Sequence, residues 1–157
     1  MIIGWRLIKE KRVQEAFNGE GARIYGGRWN HKGTLAVYIS GSLALAALEE
    51  FVHLGYESVK IKFAYIRVMI PDSIKTTEIN ETSLPGDWRK EPPPESTKNI
   101  GTEWAKKMET AVFRVPSVII PVEFNYLLNP LHPDFHKITK GRHIQFSFDP
   151  RMWKVLK

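Results

Sequence analysis

The amino-acid sequence predicts an α+β fold built on a mostly antiparallel sheet. Three observations carry that reading. Short β-type runs outnumber helical ones, they are not regularly interleaved with helices as βαβ units would be, and 43% of the 157 residues are apolar, with 18 aromatics among them. A chain of this size can bury roughly 70% of its unfolded surface without help from metal or disulfide. Residues 1–157 are therefore expected to form a single domain.

Taken in order, Ala36–Ser40 (AVYIS) is a short β-type run after the turn-like Lys32-Gly33-Thr34. Ser40-Gly41-Ser42 offers N-cap hydroxyls for the clearest helix, Leu43–Leu54, with Gly55 placed to close it. That helix is apolar nearly all round and is expected to be mostly buried. Lys60–Ile70 alternates and then runs apolar to Pro71, a strand passing from half-buried to buried. Residues 76–101, with Pro85, Gly86 and Pro92-Pro93-Pro94, read as a long loop of partial polyproline character. Thr102–Glu109 reads as a short helix, and Ala111–Val122 as a strand pair or a kinked strand, since Pro116 and Pro121 cannot donate to a ladder. Tyr126–Pro133 reads as a loop and Ile144–Phe148 as the last strand.

Composition excludes several function classes. With no cysteine there is no disulfide scaffold, thiolate zinc site, iron–sulfur cluster or thiol nucleophile. The N-terminal apolar run is too short for a signal peptide, and Leu43–Leu48 falls far below the ~18 residues of a membrane span, so a soluble, cytoplasmic protein with no membrane partner is expected. The net charge of +6 is concentrated at the ends: +4 over residues 1–34, −2 over 35–130 and +4 over 131–157. Such a distribution favours an anionic partner, be it nucleic acid, nucleotide or acidic protein. RNP-like strands, GXXG loops and Arg-rich runs are missing.

Three places carry residues suited to chemistry. Gly21–Gly33 (GARIYGGRWNHKG) is the densest cluster, where glycines allow close backbone approach and Arg28, Asn30 and His31 can bond a phosphate or sugar; the plainer reading is a tight turn with a buried Trp29. It is neither a Walker loop nor a G-x-G-x-x-G fingerprint. Glu49 and Glu50 lie in the apolar helix with no polar flank, so at least one carboxylate is expected to be half-buried, and periodicity does not say which. Ser117 interrupts an apolar run, where a hydroxyl needs backbone or ligand as partner, and no G-x-S-x-G elbow surrounds it. His132 and His136 are four apart, but Pro133 between them argues against a helical ligand pair; no metal site is expected.

At these places the sequence resembles the RES-domain family, toxins of bacterial RES–Xre toxin–antitoxin pairs named for an arginine, a glutamate and a serine. The matching segments are Gly26-Gly27-Arg28-Trp29-Asn30 with Gly33, Val37-Tyr38, Ala44–Glu49 running to Val52-His53, and Val115-Pro116-Ser117. Leu128-Asn129-Pro130, His132–Phe135 and Phe148–Arg151 complete the set, in order along almost the whole chain. The resemblance implies a split, ADP-ribosyltransferase-like sheet with flanking helices and NAD as substrate. Carried over by position, the arginine is Arg28, the aromatic Tyr38, the glutamate Glu49 and the serine Ser117, and Arg6 in Trp5-Arg6-Leu7 matches the family's N-terminal arginine. Glu50 stands where the family usually has an apolar residue, and His31 where small polar residues are common.

What the resemblance implies chemically is cleavage of the nicotinamide–ribose bond by water or phosphate. Glu49 would stabilise the oxocarbenium-like sugar, Arg28 and Arg6 would hold the pyrophosphate, Tyr38 would stack on nicotinamide, and Ser117 would orient the amide or a ribose. An Xre-like helix-turn-helix antitoxin is the implied partner, bringing DNA in only indirectly, and a homodimer is compatible. Three rivals remain: ADP-ribose transfer to a protein or RNA within the same fold, a non-catalytic basic nucleic-acid-binding module, and a structural partner-binding domain whose glycine-rich segment is only a turn.

Overall fold

The computed structural model describes residues 1–154. Its core is a seven-stranded sheet formed by β1 (Ile2–Lys9), β2 (Val37–Ser40), β3 (Phe63–Ile70), β4 (Thr76–Glu78), β5 (Val112–Pro116), β6 (Phe124–Leu128) and β7 (Thr139–Phe146). The strand order is β4-β5-β6-β2-β1-β3-β7, and all pairings are antiparallel except β4 with β5. The helices are α1 (Glu20–Tyr25), α2 (Leu43–Phe51) and α3 (Glu95–Lys107). The expected α+β class with a mostly antiparallel sheet is the one observed.

Strand alternation sorts side chains onto two faces. Val37 and Ile39 of β2 join Val68, Ile70, Val112 and Leu128 in one apolar cluster. On the other face Phe113, Val115 and Leu127 pack with Trp29 and Trp104, the Trp104 and Phe113 rings lying 5.4 Å apart. A third cluster joins Leu7 and Phe63 to Ala46 of α2, with Phe148 closing it from beyond the last strand. The sheet is nearly divided at its middle: β1 pairs with β3 over eight residue pairs but meets β2 only at Trp5 and Ser40. The implied split thus takes the form of a seam within one sheet.

Several elements differ from the sequence expectation. Ile2–Lys9, which carries no marked strand pattern, is a central strand. Residues 76–101 are only partly loop, because β4 pairs with β5 and α3 begins at Glu95, seven residues before the expected helix. Pro94 occupies the N-cap without a side-chain cap, while Glu95 in the first turn and Lys106 and Lys107 in the last are favourable charges at those ends. Its buried stripe includes Thr97, Gly101 and Thr102, which hydrophobic periodicity does not register. Ala111–Val122 is one strand, β5, followed by the turn that leads into β6, and β6 occupies part of the expected 126–133 loop. The last strand begins at Thr139 rather than Ile144. Finally, α2 ends at Phe51 rather than Leu54, and only Leu45 and Ala46 are fully buried, because one side alone of the helix lies on the sheet.

One contact ties α3 to the glycine-rich turn. A Cβ on Gly101 would lie 1.8 Å from the Trp29 carbonyl oxygen, so only glycine permits this packing. Gly101→Ala is expected to destabilise the protein by about 3 kcal/mol in chemical denaturation. Gly86→Ala, where an added Cβ meets nothing within 4 Å, is expected to stay within about 0.5 kcal/mol of the parent.

Candidate functional site

Polar residues gather where α2, β2, β6 and the β5–β6 turn meet. Ser42 N-caps α2, accepting a hydrogen bond from the Leu45 N–H at 3.1 Å, and so sets where the helix starts. Two turns later Glu49 points at the sheet. Its Oε1 accepts from the Ser117 hydroxyl at 2.8 Å and from Asn125 Nδ2 at 2.5 Å. Its Oε2 has no protein hydrogen bond among the described residues. Two donors on a half-buried carboxylate offset its lost hydration and leave one oxygen available.

Ser117 owes its place to the turn it begins. Its Oγ accepts from the N–H groups of Ile119 and Ile120, both at 3.1 Å, while its backbone N–H bonds the Glu123 carbonyl. With both lone pairs engaged and its only hydrogen given to Glu49, the buried hydroxyl holds the carboxylate and has no hydrogen left for a sugar or amide. The backbone partner anticipated for this hydroxyl is present, and the Glu49 side chain is a further one.

Tyr38 and Arg28 meet through the turn Gly27–Asn30. The Tyr38 hydroxyl donates to Asn30 Oδ1 at 2.6 Å and accepts from the Trp29 N–H at 3.2 Å, and burial pushes its pKa up. Asn30 is fully buried and its amide donates to the carbonyls of Ala22, His31 and Thr34. A Cβ on Gly27 would lie 2.7 Å from the Tyr38 oxygen, which explains the second glycine of the pair. Arg28 turns the other way. Its Nη1 donates to the carbonyls of Trp88 (3.0 Å) and Lys90 (2.8 Å), and its Nη2 to Glu91 (2.8 Å), so it straps down the loop before α3. Only 14% of its side chain is exposed, whereas Glu91 is 71% exposed.

Arg6 fills the seam. Just past the single β1–β2 pair, its Nη1 donates to the Tyr38 carbonyl at 3.0 Å and its Nε to the Ala16 carbonyl at 3.2 Å. The side chain thereby satisfies a β2 carbonyl where the ladder has parted. Beside it opens a cleft of about 250 Å³ whose lining includes Arg6, Lys9, Arg12, Glu15 and Glu50. Burial lowers the Arg6 pKa, an effect that nearby Glu50 opposes and Arg12 reinforces. Burial also raises the pKa of Glu50, more than Arg6, His53 and Lys9 lower it. The two neighbouring glutamates are thus told apart: Glu49 is locked to the sheet by hydrogen bonds, and Glu50 lines the cleft near the arginine.

The structure therefore brings Glu49 and Ser117 into direct contact and sets Arg6, Tyr38 and Arg28 around β2, with Arg28 directed at a loop. Asn125 is a polar partner that sequence reasoning missed; its signal is a lone amide between Phe124 and the apolar end of a strand. His132 Nδ1 is occupied by the Asp134 N–H. Among the described residues no group of three or more His, Asp or Glu side chains could hold a metal ion, and no helix is long and apolar enough to cross a membrane.

Comparison with known proteins gives a consistent result. The RES domain family matches residues 3–149. A protein named Toxin Res from Photorhabdus laumondii is 39% identical, over 99% of this chain and all of that one. Another Toxin Res, from Yersinia enterocolitica, is 37% identical over 94% of this chain and 97% of that one. A protein from Sphingobium named Prs ADP-ribosylating toxin is 38% identical over 94% of both. In fold, the chain is similar to one in the crystal structure of the M. tuberculosis MbcT–MbcA toxin–antitoxin complex, with a TM-score of 0.75 at 15% identity, over 96% of this chain and 86% of that one.

The opposite settings of the two glutamates have a measurable consequence. Because the folded pKa of Glu50 is raised, the folded state holds its proton more tightly than the unfolded chain does. Its contribution is neutral below the ordinary glutamate value of 4.5, grows unfavourable as pH rises from there to the folded pKa, and levels off above it. Glu50→Gln is therefore expected to raise the melting temperature at pH 7, with the gain fading as pH falls toward 4.5, as read from melts across that range.

Proposed function

This chain belongs to the RES-domain family, and on that footing we propose that it is the toxin of a toxin–antitoxin pair and cleaves the nicotinamide–ribose bond of NAD. The observation that carries the proposal is the Glu49 carboxylate, fixed through Oε1 by Ser117 and Asn125 with Oε2 left without a protein partner. In NAD the ribose C1′ is bonded to a cationic pyridinium nitrogen. When that bond breaks, its electron pair goes to the ring nitrogen and nicotinamide leaves neutral, so no general acid is required. The ribose carbon becomes cationic, and a fixed carboxylate facing it supplies stabilisation of roughly 3–4 kcal/mol.

Water then adds to C1′ and gives up a proton, yielding ADP-ribose and nicotinamide; phosphate in its place gives the phosphorylated sugar. Arg6, in the seam and beside the cleft, suits the pyrophosphate. Arg28 joins it by trading the exposed Glu91 carboxylate for a phosphate oxygen. Tyr38, pinned at its hydroxyl, is assigned to the nicotinamide ring. A second reading, transfer of ADP-ribose to a macromolecule, is favoured by the 38% identity to the Sphingobium protein named as ADP-ribosylating. A helix-turn-helix antitoxin of the Xre type is the proposed protein partner, in keeping with the family.

Purified protein incubated with NAD is expected to release nicotinamide, and Glu49→Gln is expected to lower kcat by ~10³-fold while unfolding stays cooperative. Full activity in that variant removes Glu49 from the mechanism, and a larger loss in Glu50→Gln moves the role one residue along. Arg28→Ala is expected to raise KM by about tenfold, the usual scale for one charge-assisted contact. Label from adenine-labelled NAD appearing on macromolecules, with no free ADP-ribose, selects the transfer reading.

A further inference from the structure

We propose that Asn125, anchored by Ser40, is a positioning residue for this reaction, setting the direction in which Glu49 presents its free oxygen. The inference rests on the NAD-cleaving reading of the site.

Asn125 Nδ2 donates to Glu49 Oε1 at 2.5 Å, and Asn125 Oδ1 accepts from the Ser40 hydroxyl at 2.7 Å. These two bonds determine which end of the amide is which: the opposite orientation sets an acceptor oxygen against a carboxylate oxygen. Asn125 is opposite Ser40 in β2 and opposite Val115 in β5, so its backbone is held from both sides. Ser40 is only 5% exposed and is itself opposite Trp5 of β1, at the single point where the sheet is continuous across the seam. The carboxylate is thereby referenced to a strand paired on both sides, β6, rather than to the end of its own nine-residue helix.

Ser117 and Asn125 converge on the same oxygen from different elements. Two donors on Oε1 fix both the carboxylate's position and its rotation, and the lone pairs of Oε2 are left for ribose hydroxyls or the cationic carbon. One donor alone leaves rotation about that hydrogen bond free. A misplacement of about 1 Å in such a group can cost 10²-fold in rate.

The test is steady-state nicotinamide release by wild type, Asn125→Ala, Ser40→Ala and Ser40→Thr, with thermal melts for each. Asn125→Ala is expected to lower kcat by ~10²-fold with KM within about twofold of the parent. Ser40→Ala is expected to lower kcat by about tenfold, and Ser40→Thr, which keeps the hydroxyl, to recover most of it. If Asn125→Ala does not fold, the Ser40 pair decides alone. A wild-type kcat in Asn125→Ala or Ser40→Ala, a change in KM alone, or equal losses in Ser40→Ala and Ser40→Thr overturns the positioning role and leaves NAD cleavage standing. No nicotinamide from wild type overturns that reaction and this role together.

Discussion

The hydrogen bonds on one oxygen of Glu49 hold the functional part of this molecule together. A carboxylate drawn half out of water needs partners of the right kind, and the fold supplies them from elements far apart in sequence: Ser117 from the turn after β5 and Asn125 from β6. Each partner is itself constrained, Ser117 by two backbone N–H groups and Asn125 by Ser40. The order β5-β6-β2 brings these groups to one face, and Ser42 starts α2 in the register that delivers Glu49 to them. Slipping β6 or β2 by one residue would turn Asn125 or Ser40 to the wrong face of the sheet, and shifting α2 by one would swing Glu49 away by about 100°.

The two arginines do different work. Arg6 lies where β1 and β2 part, and its guanidinium takes over hydrogen bonding that a continuous ladder would have provided. A guanidinium keeps its charge even when burial disfavours it, so the cleft retains a positive wall. Arg28 reaches the loop ahead of α3, fastening the segment that carries Trp88 into the aromatic cluster. The glycine-rich segment thus serves fold and site at once: Gly27 admits the Tyr38 hydroxyl, and Trp29 rests on Gly101.

Much of this was legible in the sequence, and what was not has identifiable causes. The class, β2, α2 and β3 follow from alternation and capping, and the polar interruptions at Glu49 and Ser117 mark residues that prove to touch. By contrast, α3 buries Thr97, Gly101 and Thr102, so its inner stripe is invisible to a hydrophobic count. The strand β6 precedes Asn129-Pro130 and is easily taken for part of that turn. At the N-terminus, Trp5, Arg6 and Leu7 serve both faces and the seam, so no simple alternation survives. Asn125 escaped because its value lies in a partner 76 positions away. Which glutamate meets the sheet depends on the exact rotation of α2, a quantity set by packing rather than by pattern.

The lone Trp5–Ser40 pair leaves a seam in the sheet, with β4, β5, β6 and β2 on one side and β1, β3 and β7 on the other, and Val37 and Ile39 pack across it on Val68 and Ile70. Arg6 and the cleft-lining segment 6–9 belong to one side, while Asn125 and Tyr38 belong to the other. Glu50 of the cleft lining is the next residue to Glu49 on α2, so a molecule lodged in the gap rests against the same helix that carries the carboxylate.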